Sequence, residues 1–165
     1  EGDAFICNDA YLAGGTHLPD ISIITPVFYL SELRFFVANV GHHADVGGSV
    51  PGSISPSAAS IFEEGIRIPP IKIIRRGIFQ EDIIRLVVNN TREPEDRNLD
   101  LKVQIATNDF GVIQTTKLIE KMGLEAMEVA IEDLLIYTSR RLKKHLLALK
   151  QGSSSFTTWM DDDGR

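Results

Sequence analysis

The spacing of apolar positions changes character near residue 90. Before it, short apolar runs are broken by glycine, proline and Asn-Asp; after it, they recur near the helical period. Ala4 to Cys7 reads as a short strand ending in the turn signal Asn8-Asp9. Ile21 to Tyr29 reads as a buried strand that Pro26 marks as an edge or a bulge. Leu33 to Val40 is a second strand, and Leu30-Ser31-Glu32 is short enough to join the two into a hairpin. A loop rich in Gly, Pro and Ser spans Gly47 to Pro56. A short helix from Ser57 to Glu64 follows, with Ser57 as cap and Gly65 as stop. Pro69-Pro70 precedes a strand over Ile71 to Ile74, and the acids Glu81 and Asp82 open a short helix over Gln80 to Val88.

Thr91 to Arg97 is charged, holds Pro94 and reads as a linker. Beyond it a helix over Leu99 to Met122, closed by Gly123, carries Val103, Ala106, Phe110, Ile113 and Leu118. A second, Leu124 to Leu149, sets Met127, Ile131, Leu134, Leu135, Leu142 and Leu146 on one face. An alternating run before Asp161-Asp162-Asp163-Gly164 reads as a strand entering a turn. The expected fold is α+β: mixed or antiparallel hairpins with Gly-rich loops, then two long helices. Residues 1–90 form the β-rich part, 91–97 the linker, 98–150 a helical hairpin and 151–165 the start of a further β element. The chain begins without Met and stops at that turn, so it reads as a piece of a larger protein.

Composition narrows the partners. The 165 residues suffice for one domain with a real core, and no apolar run reaches the roughly 18 residues of a membrane span. A net charge of −6 argues against nucleic acid or an anionic membrane as the main partner. Arg140, Arg141, Lys143, Lys144 and His145 therefore read as a solvated helix end that complements the helix dipole. A single cysteine, Cys7, rules out an internal disulfide and fits a reducing, cytoplasmic compartment; after an apolar run it reads as a buried, inert thiol.

The candidate chemistry lies in two loops, Gly14-Gly15-Thr16-His17-Leu18-Pro19-Asp20 and Gly41-His42-His43-Ala44-Asp45-Val46-Gly47-Gly48. Each sets a histidine three residues before an aspartate, among glycines. Imidazole and carboxylate are the ligand types of Zn, Mn and Fe sites. The same residues also serve as turn formers and caps, because Asp bonds readily to its own backbone. The hairpin gives the metal reading a route: Asp20 precedes its first strand and His42 follows its second, so the two emerge at one end.

The stretches Gly2-Asp3, Asn8-Asp9-Ala10-Tyr11 and Gly14 to Asp20 resemble the hydantoinase B / 5-oxoprolinase family. So do Val37-Ala38-Asn39, Gly41 to Gly48, Pro51-Gly52-Ser53, Glu63 to Pro70, Asp100, Gln104 and Ala106 to Gly111. Ala10 departs from the family's usual Pro after Asn-Asp. The resemblance implies a B-type subunit or domain, as in N-methylhydantoinase, working with a hydantoinase A-type ATP-binding partner in a hetero-oligomer. ATP and Mg belong to that partner, which activates a carbonyl by phosphorylation. The outcome in hydantoinases and 5-oxoprolinases is opening of a small cyclic amide; in the related acetone and acetophenone carboxylases it is carboxylation. The resemblance further implies a divalent metal held by His17, Asp20 and His42, with Asp9 and Asp45 as further candidates.

Two imidazoles and a carboxylate with one open position suit a Lewis acid or a source of hydroxide. In that setting His43 is the candidate for proton transfer, and Asp45 for fixing a ligand imidazole. Gly47, Gly48 and Ser53 are the candidates for lining the substrate pocket. Besides hydrolysis and carboxylation, a non-catalytic assembly domain with a structural metal is the remaining alternative, and a closed four-ligand site would mark it.

Overall fold

The structure, a computed structural model, describes residues 1–149 and 152–159. In chain order the elements are β1 (Ala4–Cys7), α1 (Ala10–Ala13), β2 (Asp20–Tyr29), β3 (Glu32–His42), a 3-10 turn (Ile61–Glu63), β4 (Ile71–Arg75), β5 (Ile78–Phe79), α2 (Glu81–Val88), α3 (Pro94–Met122) and α4 (Leu124–Leu147). The five strands form one antiparallel sheet in the order β3-β2-β1-β4-β5. The α+β expectation, hairpin strands followed by two long helices, matches this architecture. None of the helices among the described residues is long and apolar enough to cross a membrane.

The β2–β3 hairpin turns through Leu30 and Ser31, both with left-handed φ (52° and 66°), the conformation that matches the twist of a two-residue hairpin. Pairing runs from Tyr29↔Glu32 to Asp20↔His42, with a register shift between Val27 and Phe28. Pro26 sits beside that shift and beyond the part of β2 that β1 covers, so the strand there has one neighbour only. Burial alternates along β2: Ile21, Ile23 and Val27 lie in the core while Asp20, Ser22 and Ile24 are half-buried on the other face. Ile6, Leu18, Val46, Ile73, Ile84 and Leu101 complete the centre of that core.

Four expectations change. The segment 91–97 is not a linker throughout: α3 begins at Pro94, because proline at the first helical position lacks only an N–H that would have no partner there, and Glu95 and Asp96 suit the helix start. The helix over Ser57 to Glu64 shrinks to the 3-10 turn, with Ser60 rather than Ser57 accepting at its start. Asp9 caps a single helical turn, α1, which the sequence pattern did not indicate.

The largest change is the face of α3. Its buried stripe is Leu101, Gln104, Ile105, Asn108 and Ile119, whereas Val103, Phe110, Ile113 and Leu118 are exposed. The two amides are buried because the hairpin satisfies them. Gln104 Nε2 donates to the Ile21 carbonyl (2.9 Å) and to Asn39 Oδ1 (2.8 Å), and Asn108 Nδ2 donates to the Ile23 carbonyl (2.9 Å). The fit at Gly41 is close: a Cβ there would lie 2.7 Å from Gln104 Nε2.

The chain divides into two compact units, Glu1–Lys121 and Met122–Arg165. The sheet and nearly all of α3 belong to the first. In the second, α4 has no buried residue, and its expected apolar face, including Leu134, Leu135, Leu142 and Leu146, is exposed. Residues 152–159 form no strand or helix, and the remainder of the β element expected over 151–165, including Asp161 to Gly164, lies outside the described residues.

Candidate metal centre

The hairpin register places Asp20, the first residue of β2, directly opposite His42, the last of β3. The loop before β2 brings His17 to the same point. Its Nε2 lies 3.1 Å from Asp20 Oδ1, and its ring lies 5.0 Å from that of His42, centroid to centroid. One ligand atom from each of the three residues falls within 4.8 Å of the others. His17 and Asp20 are half-buried and His42 is exposed, so the donor atoms face solvent on one side.

The backbone beneath the trio is tied down. Leu18 is fully buried, and its carbonyl accepts from Asn8 Nδ2 at 2.8 Å. Asn8 also donates to the Ile66 carbonyl and accepts from the Ile68 amide, so one buried side chain joins three segments. The His43 amide donates to the Pro19 carbonyl (2.8 Å), closing the two loops onto each other. The Thr16 hydroxyl donates to Asp20 Oδ2 at 3.3 Å. The donor set fits a divalent metal: two imidazoles and one carboxylate, preformed, with an open side.

The other sequence candidates lie elsewhere. Asp9 is buried with both oxygens engaged: Oδ1 accepts from the Tyr11 and Leu12 amides, and Oδ2 accepts from Arg67 at 2.7 Å. The Arg67 guanidinium holds the Asp9 carboxyl below the usual range. Arg67 in turn stacks near the rings of Tyr11 and Phe62.

His43, next in sequence to His42, is turned to the α3 side. It is 3% exposed, and its Nε2 lies 2.9 Å from Gln104 Oε1. The Gln104 amide nitrogen is committed to donating, so its oxygen accepts and His43 Nε2 carries the proton. His43 Nδ1 is then a buried lone pair with no partner among the described residues. Burial pushes the His43 pKa down, against the opposing pull of Gln104.

Asp45 organises the loop that follows. Oδ1 accepts from the amides of Gly47 (2.9 Å) and Arg92 (3.1 Å); Oδ2 accepts from the Gly52 amide (3.0 Å) and Arg92 Nη1 (2.8 Å). Burial raises the Asp45 pKa, but the hydrogen bonds from Gly47, Arg92 and Gly52 outweigh it and hold the value down at about 2. Arg92 also donates to the carbonyls of Gly47, Gly48 and Val50. Ser53 Oγ donates to the Gly47 carbonyl and accepts from the Val46 amide, both at 2.7 Å. Gly47 and Gly48 have φ of 87° and 84°, and a Cβ on either would lie 2.4 or 2.5 Å from a backbone oxygen. Asp45, Gly47 and Ser53 thus spend their polar groups on one another and on Arg92. Ser53 does reach a hollow of about 140 Å³ that His17, Ile54, Ser55, Ala58 and Glu64 also line.

Sequence reasoning missed the anchoring roles of Asn8, Arg67, Arg92 and Gln104. Arg67 and Arg92 meet their aspartates across 58 and 47 residues, a distance at which no spacing rule operates.

Comparison with known proteins agrees with the fold. The family profile described as Hydantoinase B/oxoprolinase matches residues 1–165. A 5-oxoprolinase from Dictyostelium discoideum is 41% identical over 87% of this chain and 12% of its own length. The crystal structure of the ATP-dependent caprolactamase from Pseudomonas jessenii superposes with a TM-score of 0.82 at 32% identity, over 92% of this chain and 26% of that one. A nucleotide-free acetone carboxylase gives 0.71 at 28% identity, over 76% of this chain and 16% of that one. The chain spans about a quarter or less of each of these relatives. With the family profile matching from the first residue to the last, the chain belongs to the hydantoinase B/oxoprolinase family.

Proposed function

We propose that the chain carries the metal centre of a B-type component of an ATP-dependent cyclic-amide hydrolase. The supporting observation is the trio His17, Asp20 and His42, preformed and open on one side. The relatives named 5-oxoprolinase and ATP-dependent caprolactamase support the substrate class, a small cyclic amide. In this reading a hydantoinase A-type partner, a separate subunit or another domain, binds ATP and Mg and phosphorylates the amide carbonyl. A divalent cation bound by the trio would supply Lewis acidity at the carbonyl oxygen or a hydroxide near neutral pH.

The chain's own residues prepare that chemistry. His17 and His42 present imidazole nitrogens, and Thr16 steadies the Asp20 carboxylate from its other oxygen. Asn8 and the His43 amide hold both loops at fixed separation, so little ordering is left for binding to accomplish. His43 and Asp45 act through position: His43 ties the end of β3 to α3, and Asp45 with Arg92 ties down the loop behind it. Cys7 is free and buried, and we place the assembly in the cytoplasm.

The experiment is elemental analysis and turnover of the full-length protein, with its partner and ATP, for wild type and the His17→Ala, His42→Ala double variant. We expect about one metal per chain in the wild type, lost in the variant, with turnover down at least ~10³-fold. Retained turnover at wild-type metal content would overturn the assignment. The similarity to acetone carboxylase favours a second reading, carboxylation of a ketone; ATP consumption dependent on ketone and bicarbonate, with no lactam opened, would select it.

A further inference from the structure

Next to the trio lies a cleft of about 240 Å³ whose floor is set by strand register. Ser22 pairs with Cys7 on β1 and with Val40 on β3, so the three side chains form one row across three strands. This row shares the face of Asp20 and His42 and lies two residues further in, roughly 7 Å along the strands. The wall is Ala13 and the loop Gly14-Gly15-Thr16, and Asp20 closes the end towards the trio.

The chemistry of the lining is restrictive. Asp20 is its only charged side chain, and no Lys, Arg or His lines it among the described residues. The Asn8 amide is consumed by backbone groups. The Ser22 hydroxyl has no partner among the described residues and is free to bond a ligand. Val40 and Cys7 offer an isopropyl group and a thiol that burial keeps protonated. A carboxylate or phosphoryl group seated over Ser22, Val40 and Cys7, away from the trio, would lose water without meeting a protein cation, which is costly. The volume falls below the ~300 Å³ at which pockets begin to hold drug-sized ligands.

We infer that this cleft seats the uncharged ring of a small cyclic amide, its amide edge towards Ser22 and Asp20 and its methylenes over Val40 and Cys7. Charged substituents, including a transferred phosphoryl group, point out of it. The inference rests on the hydrolase reading and adds to it the part of the site that measures ring size. It also moves ring recognition away from Gly47 and Ser53, whose polar groups are spent within their own loop and on Arg92.

Val40 is 63% exposed, so Val40→Phe keeps a strand-forming residue and narrows the floor without disturbing the core. The full-length protein, with partner and ATP, is assayed on 2-pyrrolidone and ε-caprolactam. Each ring is scored by KM where it is opened and by its inhibition constant where it is not. Val40→Phe is expected to weaken the seven-membered ring at least tenfold relative to the five-membered one, at unchanged metal content. Ser22→Ala is expected to raise both constants severalfold, with kcat held. Equal or absent effects of Val40→Phe on the two rings, or loss of metal from that variant, would overturn the inference alone. Failure of the wild type to open any cyclic amide would take down the hydrolase reading first and this inference with it.

Discussion

The two His-x-x-Asp stretches start from nearly the same residues and end in opposite conditions. In the first, His17 and Asp20 lie side by side, half-exposed, and only Thr16 touches the carboxylate from elsewhere in its loop. In the second, Asp45 is buried and takes four hydrogen bonds. His42 and His43 divide between the two conditions, one joining the open trio and the other held against Gln104. Residue type therefore does not separate the proposed ligands from the scaffold here; the saturation of their hydrogen-bonding capacity does. A group that is to bind something else must be positioned by its backbone and left unspent at its tip.

That contrast is tested most severely by removing Asp45. Asp45→Ala leaves three backbone amides without their acceptor and takes one partner from Arg92, which keeps its carbonyl partners. About 3–5 kcal/mol of stability should go in urea unfolding. A loss under about 1 kcal/mol would erase the distinction between the two loops. Next comes Gln104→Leu, which takes the side-chain partner from the Ile21 carbonyl, Asn39 Oδ1 and His43 Nε2 and should cost roughly 3 kcal/mol. The same variant should weaken metal binding in a titration, because Ile21 and His43 flank Asp20 and His42.

The pH dependence is a smaller effect. Asp45 has a folded pKa of about 2, below the ~3.9 of an unfolded chain, so the folded state binds the proton less well. Its contribution, roughly 2 kcal/mol, is complete above about pH 5 and lost as pH falls from there towards 2. Asp45→Asn should flatten that limb of the stability curve. The smallest expected effect is at the open site: without metal, the His17→Ala, His42→Ala double variant should unfold within ~0.5 kcal/mol of wild type. A much larger cost would make the trio part of the scaffold.

The open site was legible because local rules govern it. A two-residue turn and strands of similar length suffice to bring Asp20 and His42 together. The face of α3 was not legible, because Gln104 and Asn108 read as polar positions until the hairpin carbonyls that satisfy them are in place. The Pro94 start was misread for the reverse reason: proline breaks a helix in its interior but favours its first turn, and the sequence alone leaves open which applies. Asp45 offered a similar ambiguity, resolved only by Arg92, 47 residues later.

The closeness of Gly41 to Gln104 bears on which length changes this hairpin can tolerate. A single inserted or deleted residue that slips β3 against β2 would exchange its two faces. Either Val40 or His42 would then stand where Gly41 does, opposite Ile21, with a Cβ 2.7 Å from the Gln104 amide nitrogen. The slipped chain would carry His42 away from Asp20 and press a side chain on the buried Gln104 amide in one step. Gly41 thus adds to the hairpin's register: a side chain in its place must displace the amide that ties α3 to the hairpin.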